Sequence, residues 1–289
     1  MKIYLVNAFT KDGAGGNPAG VVLGADGLSS EEMQAIAFRL SFSETAFITP
    51  SESMDQRLRF FAPLQEVHLC AHATLAAYHL LWERGAISDG HYRMETLSGA
   101  QGVEVAADGL VSMSQNLPVF DQRISAEALA PALGLQASDL SSEVPIRVVS
   151  TGLRKIFAAV KSREVLESLK FDLQKVELIS KANQAIGVYV FSLEDDPEIT
   201  AYCRNCAPVV GIKEDSATGT SAAALACHLF NNGVILPAAD QFFRFYQGFS
   251  IGEPSELLVR LKVESGSIQE VRVAGKCVTI REIGREEIL

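Results

Sequence analysis

Nowhere in the 289 residues do lysines and arginines gather into a run or a stripe. The 25 Lys and Arg are outnumbered by 35 Asp and Glu, giving a formal net charge of -10. The electrostatic footprint of a nucleic-acid binder is therefore missing, and an acidic surface disfavours anionic membranes. No apolar stretch approaches the roughly 18 residues that a membrane-spanning helix needs. Met1-Lys2 leads straight into Ile3-Tyr4-Leu5-Val6, too short an apolar run for a signal peptide. Cysteine is scarce: Cys70, Cys203, Cys206, Cys227 and Cys277, an odd number at irregular spacing. That argues against a disulfide framework and for a reduced, cytoplasmic protein. Low-complexity segments are also absent. What is there is a 48% hydrophobic chain, ample for buried cores, with length for about two domains at roughly 150 residues each.

The pattern along the chain is α+β. Alternating, β-branched stretches at Lys2 to Phe9 and Gly20 to Gly24 read as strands. Ser29 with Glu32 forms a capping-box signature ahead of Met33, Ile36, Ala37 and Leu40 at helical spacing. Strands follow at Thr45 to Thr49 and Arg57 to Ala62, then a Pro63 loop and an Ala-rich helix from Ala71 to Trp82 that ends before Gly85. Short strands come near Tyr92, Val103 and Val111. The second half repeats this order. It has strands Ile146 to Ser150 and Lys155 to Val160, helical segments Arg163 to Leu169 and Leu173 to Ala182, and strands Ile186 to Ser192 and Ile199 to Arg204. A Pro208 loop and a second Ala-rich helix, about Ala217 to Asn231, precede strands near Phe243, Leu258, Val271 and Val278. Ala62-Pro63 with Ala73-Thr74 answers Ala207-Pro208 with Ala217-Thr218. We read a duplicated α+β domain, joined within residues 117–145 by a linker around a short helix.

The starts of the two Ala-rich helices are the chemically suggestive places. Small residues there let a ligand approach unpaired backbone N–H groups, which with the macrodipole favour an anion. Cys70-Ala71-His72-Ala73-Thr74 opens one helix and Thr218-Gly219-Thr220-Ser221 the other; close helix packing selects the same small residues. Glu44 lies at an elbow between helix and strand, where a side chain can be aimed into a cleft, although a loop Glu is more often a solvated surface group. His72 is either an acid/base or an ordinary histidine at a helix start. Asp215 suits a helix cap as well as a catalytic role.

Five motifs in order resemble those of the PhzF, or phenazine biosynthesis-like, family. Gly16-Asn17-Pro18-Ala19-Gly20-Val21-Val22 is similar to GNPAGVV, Ser43-Glu44-Thr45-Ala46-Phe47 matches SETAF, and Cys70-Ala71-His72-Ala73-Thr74 is similar to CGHAT. Gly211 to Gly219 resembles GIxEDPATG, and Tyr246-Gln247-Gly248 the late QG element. The resemblance implies a diaminopimelate epimerase-like fold: two pseudo-symmetric lobes, each a curled, mostly antiparallel sheet around a central helix, with the active-site cleft between them. We place the lobes at 1–120, completed by about 276–289, and at 121–275. It further implies a cofactor-free isomerase that relocates a proton on a small carboxylate-bearing metabolite, with no metal, no nucleic acid and no membrane partner, and leaves room for a homodimer. Glu44 is then the acid/base, with His72 and Asp215 assisting, and Asn17, Ala71, Ala73, Thr74, Gly219, Thr220 and Ser221 binding substrate. A carboxylic acid can give and take a proton near neutrality when its surroundings raise its pKa.

The chain departs from the family at three places. Ala71 stands where Gly is usual, Ser216 replaces Pro, and Gly219-Thr220-Ser221-Ala222 lacks the His of the usual GSAH. Other readings are weaker. A two-thiol epimerase needs a cysteine near each helix start; Cys70 supplies one, but Asp215 to Ser221 contains none. Zinc at Cys203-x-x-Cys206 lacks a second pair, and period two sends these side chains to opposite strand faces. The glycines near Gly13 to Gly20 enclose Pro18 and open no helix, unlike a dinucleotide fingerprint. A non-catalytic binding module on the same fold is the alternative of a different class.

Overall fold

The computed structural model describes residues 1–238 and 241–284, and strands dominate it. The chain divides into two compact units. One is Met1–Ser114 with a segment that starts at Ala274; the other is Gln115–Val273. Residues 285–289, part of the segment expected to complete the first lobe, lie outside the described residues. Among the described residues no helix is long and apolar enough to cross a membrane.

The first unit runs β1 (Lys2–Ala8), β2 (Asn17–Leu23), α1 (Ser30–Leu40), β3 (Glu44–Thr49), β4 (Gln56–Ala62), β5 (Gln65–Val67), α2 (Ala71–Glu83), β6 (Gly90–Thr96), β7 (Gly99–Val105) and β8 (Val111–Gln115). The second holds β9 (Val119–Arg123), α3 (Ala126–Leu133), β10 (Arg147–Ser150), β11 (Lys155–Val160), α4 (Arg163–Ser168), α5 (Leu173–Ala182), β12 (Val188–Asp196) and β13 (Ile199–Ala207). It continues with β14 (Ile212–Asp215), α6 (Gly219–Asn231), β15 (Phe243–Gln247) and β16 (Ser255–Glu264). β17 (Ser267–Gly275) reaches the unit boundary, and β18 (Cys277–Ile283) belongs to the first unit.

The capping box forms as the sequence indicates: Glu32 N–H donates to Ser29 Oγ at 3.2 Å, and Ser29 N–H to Glu32 Oε2 at 2.7 Å. Met33, Ile36 and Ala37 on the apolar stripe of α1 then pack with Ile3, Val22, Phe47 and Phe61. The helix α2 is of another kind. Every residue from Ala71 to Leu81 is buried, and it touches β1, β2, β3, β7 and β18. A helix without a polar face has to be surrounded, and the sheet of the first unit curls about it. In the second unit α6 is likewise buried from Ser221 to Leu229 and packs on β10 and β16. On that unit's sheet, Leu129, Leu133, Leu166 and Val176 form a further apolar cluster with Val148, Ile156 and Val188.

The duplication extends to strand pairing. In the first unit β1 and β2 are antiparallel, β2 and β3 parallel, β3 and β4 antiparallel, β4 and β6 parallel, and the short β5 caps β4. In the second, β10 and β11 are antiparallel, β11 and β12 parallel, β12 and β13 antiparallel, β13 and β15 parallel, and the short β14 caps β13. Both parallel pairs in each unit are bridged by helices, as such crossovers require. The α+β class is therefore as read from the sequence. Boundaries differ slightly: the second Ala-rich helix starts at Gly219 rather than Ala217, and β5, β14 and β9, which lies in the expected linker and pairs with β10, have no counterpart in the sequence reading.

The turn after β15 depends on one glycine. Gly248 has φ +83, and a Cβ there would lie 2.1 Å from the Glu253 carbonyl oxygen and 2.8 Å from that of Ser216. Gly252 has a similar φ of +77 with open space around it. Replacing Gly252 by Ala should cost only the left-handed backbone term, about 1–2 kcal/mol. Gly248→Ala adds two backbone clashes and should cost at least twice as much in urea denaturation. Equal losses would show that the turn relaxes around the methyl group.

Candidate functional site

The first unit builds a compact polar cluster from two chain reversals. α1 ends at Ser41, whose left-handed backbone (φ 54) turns the chain while its N–H bonds the Ala37 carbonyl. β3 then begins at Glu44, paired with Ala19 on the parallel β2. Asn17, buried, opens β2 two residues before that pairing. The second reversal is the start of α2. Cys70 is its extended N-cap residue, and Thr74 fastens the first turn by donating from Oγ1 to the Cys70 carbonyl at 2.7 Å. Ala71, His72 and Ala73 make up that turn, and all are buried.

These reversals bring Glu44 and His72 together. Glu44 Oε2 lies 3.4 Å from His72 Nε2, with the His side chain 9% and the Glu side chain 22% exposed. Ser43 Oγ also lies 3.4 Å from Nε2, and Cys70 Sγ 3.4 Å from Nδ1. Nε2 thus has the Ser43 hydroxyl as its hydrogen-bond partner with the Glu44 carboxylate at ion-pair distance, while Nδ1 faces the Cys70 thiol; which ring nitrogen donates depends on the tautomer. Among the described residues the ligating atoms of Glu44, Cys70 and His72 all fall within 4.8 Å of one another.

The second unit builds its own network. Asp215 ends β14, opposite Asn205 on β13. Thr218, the N-cap residue of α6, makes no side-chain cap bond; its hydroxyl donates to Asp215 Oδ2 instead. Gln247 ties the turn together. Its Nε2 donates to the Asp215 carbonyl at 2.7 Å and to Thr218 Oγ1 at 3.1 Å. Its Oε1 accepts from Tyr189 OH at 2.9 Å and from Thr218 N–H at 3.3 Å. All four hydrogen-bonding positions of the amide are used. Gly219, Thr220 and Ser221 form the first turn of α6, and the Thr220 carbonyl accepts from Thr151 Oγ1 at 3.0 Å. Burial holds the Tyr189 hydroxyl well above its ordinary pKa, so it is a standing donor.

Sequence reasoning missed the residue beneath this network. Lys155 is 1% exposed, and its Nζ donates to Asn205 Oδ1. Desolvation pushes its pKa down to about 8, with the Asp215 charge opposing the shift. An apolar strand with one polar member reads as half-exposed; the burial is disclosed only by the fold, which sets Lys155 opposite Val149 on β10 and brings it to Asn205 on β13. Cys203 and Cys206 are both buried, and burial raises each thiol to about 12. Cys206 sits in the apolar cluster of the second unit.

A stability prediction follows from Lys155. Its folded pKa of about 8 lies below the unfolded 10.5. Between these values the unfolded chain holds a proton that the folded one has released, so stability rises with pH across that window. The full shift corresponds to about 3 kcal/mol. The buried cysteines act oppositely, since their raised pKa values make stability fall at high pH. Lys155→Met retains them and is the reference. Wild type should gain about 3 kcal/mol on this variant between about pH 7 and pH 10.5 in denaturant titrations. A constant difference would mean that Lys155 does not titrate in the fold.

The chain is similar to known proteins over nearly its whole length. Residues 6–283 match the family of phenazine biosynthesis-like proteins, PhzC-PhzF. An uncharacterised isomerase of Clostridium acetobutylicum is 34% identical over 96% of this chain and 95% of its own. The trans-2,3-dihydro-3-hydroxyanthranilate isomerase of Pseudomonas aeruginosa is 29% identical over 97% and 98%. Among solved structures, a PhzF-family phenazine biosynthesis protein of Bacillus anthracis superposes with a TM-score of 0.89 at 30% identity, covering 98% of both chains. A hydroxyproline epimerase of Agrobacterium vitis, with a TM-score of 0.60 at 14% identity over 98% of this chain and 90% of its own, shares the fold. Matched from Val6 to Ile283, and with curated isomerases alongside it at full length, the chain belongs to the phenazine biosynthesis-like (PhzC-PhzF) family.

Proposed function

We propose that the chain is a cofactor-independent isomerase that relocates a proton on a small carboxylate-bearing metabolite in the cytoplasm, with Glu44 as acid/base. The observation that carries this reading is the 3.4 Å approach of Glu44 Oε2 to His72 Nε2 in a largely buried cluster. In the proposed step the Glu44 carboxylate takes a proton from a substrate carbon. The electron pair of that C–H bond moves into the adjoining unsaturated system, and protonated Glu44 returns the proton to another carbon. His72, 3.4 Å from the carboxylate and held beside Ser43 and Cys70, orients Glu44 for both proton transfers. A positioned acid/base of this kind contributes about 10²–10⁴-fold.

Asp215, steadied by Thr218 and Gln247 above Lys155, assists on the same substrate in this proposal. The first-turn residues Ala71, Ala73, Thr74, Gly219, Thr220 and Ser221, with Asn17, bind it, the backbone amides at a helix start favouring its carboxylate. A thiol mechanism has one observation in its favour, the 3.4 Å contact of Cys70 Sγ with His72 Nδ1. The first turn of α6 contains no second thiol, and Cys227, deeper in that helix, is fully buried with its thiol raised to about 12.

The test uses trans-2,3-dihydro-3-hydroxyanthranilate, the compound named for the Pseudomonas relative, and a panel of small unsaturated acids in deuterated water with nothing else added. Wild type should place solvent deuterium in the product. Glu44→Gln should stay folded, still bind, and lose turnover by about 10²–10⁴-fold. Full turnover in Glu44→Gln together with a dead Cys70→Ser would transfer the chemistry to the thiol.

A further inference from the structure

We propose that Glu44, Cys70 and His72 also form a binding site for a borderline divalent cation, zinc above all, and that its occupancy switches the acid/base off. The inhibitory half of this inference rests on the role proposed for Glu44; the binding half does not.

Three donors of different chemistry lie within 4.8 Å of one another here. Zinc takes an imidazole nitrogen at about 2.0–2.1 Å, a thiolate at about 2.3 Å and a carboxylate oxygen at about 2.0–2.2 Å. Around a tetrahedral ion those lengths place nitrogen and oxygen about 3.4 Å apart, and nitrogen and sulfur about 3.5 Å apart. His72 Nε2 and Glu44 Oε2 are 3.4 Å apart, and Cys70 Sγ is 3.9 Å from the same nitrogen. Cys70 Sγ lies nearer to Nδ1, at 3.4 Å, so joining Glu44 on an ion at Nε2 requires the Cys70 side chain to turn away from Nδ1. The frame holding the donors is fixed by the buried start of α2, the Thr74–Cys70 bond and the first residue of β3.

The donor set also selects the ion. A thiolate with an imidazole suits zinc, cobalt and their neighbours and disfavours magnesium and calcium, which prefer oxygen. Three protein ligands leave a fourth position open for water or for the carboxylate of a small molecule. The remaining thiols compete poorly, because Cys203, Cys206, Cys227 and Cys277 are buried and held near about 12. Coordination would use the lone pair of Glu44 that proton transfer requires and would fix His72 in one tautomer. The ion is thus an inhibitor in this proposal, so a chelator protects turnover.

The experiment is a cobalt(II) titration of the full chain, freed of any polyhistidine tag, followed by displacement with zinc. Wild type should bind one cobalt with a thiolate-to-metal charge-transfer absorption, which zinc abolishes. Changes to groups behind a ligand typically cost about 10–100-fold in metal affinity, so loss of a ligand in Cys70→Ser should cost at least about 100-fold. The charge-transfer band should vanish in that variant and persist in Cys227→Ser. Zinc should raise the melting temperature of wild type and leave that of Cys70→Ser unmoved, a readout made on folded protein by circular dichroism. Absence of the band and of the melting shift in wild type, or a band that survives in Cys70→Ser, overturns the site. A wild-type band accompanied by undiminished turnover at one equivalent of zinc overturns the inhibition. Failure of the Glu44 reading is separate: it appears as full turnover of Glu44→Gln in metal-free buffer.

Discussion

A helix with no solvent-facing side cannot be left at the edge of a domain, and α2 and α6 are both of this kind. Each carries Ala, Leu and other small or apolar residues around its whole circumference and is buried for most of its length. Burying one such helix requires a sheet that bends around it, which explains why each unit alternates antiparallel hairpins with two parallel crossovers. Small side chains allow the close approach that this wrapping needs. They also leave little at the helix start except backbone and whatever polar residue the sequence puts there. In the first unit that residue is His72, and in the second the place is held by Thr218 and Asp215.

The two units share a topology but have diverged in chemistry. The first sets a titratable carboxylate, an imidazole and a thiol against each other at contact distance. The second devotes its polar groups to mutual support. Gln247 satisfies Tyr189, Thr218 and the Asp215 backbone at once, and Lys155 carries a charge into a region where desolvation works against it. A buried ammonium with a neutral amide partner is costly unless a carboxylate lies near, and Asp215 is the group whose charge opposes the Lys155 shift. The first unit thus keeps groups that can exchange protons, while the second keeps one carboxylate in a fixed setting.

Much of this was legible in the residues. The Ser29–Glu32 pair announces α1 because both halves of a capping box are local. The two Ala-rich segments announce α2 and α6 because alanines and leucines recur on every side of them and neither Pro nor an ionised Lys, Arg, Asp or Glu interrupts them before their ends. The helix α6 begins at Gly219 rather than Ala217 because Thr218 holds a non-helical N-cap backbone (φ -122, ψ 88), and the Asp215 and Gln247 bonds that engage it involve a residue about thirty positions away. The strands β5 and β14 escaped because three or four residues carry no periodicity; only partners define them. Lys155 is hidden for a related reason: a lysine in a strand reads as solvent-facing, and its partners, Val149 on β10 and Asn205 on β13, are brought to it only by the fold. The Glu44 elbow could be read from local pattern, but the distances from His72 to Glu44 and Cys70 could not.

One strand has a consequence for how the protein is made. β18 pairs with β1, bringing Ile3 opposite Ile283 and Ala8 opposite Cys277, and α2 packs on it. The first unit to leave the ribosome is therefore missing a wall of its core until the second unit and then β18 have been synthesised. The second unit is continuous in sequence and can close earlier. Vectorial synthesis then reverses the usual N-terminal-first order, and the pairing of β1 with β18 becomes a late, long-range closure. Until that closure, the α2 face that β18 covers stays exposed in the nascent chain. Folding in the cell is thus most vulnerable to aggregation just before the last strand docks.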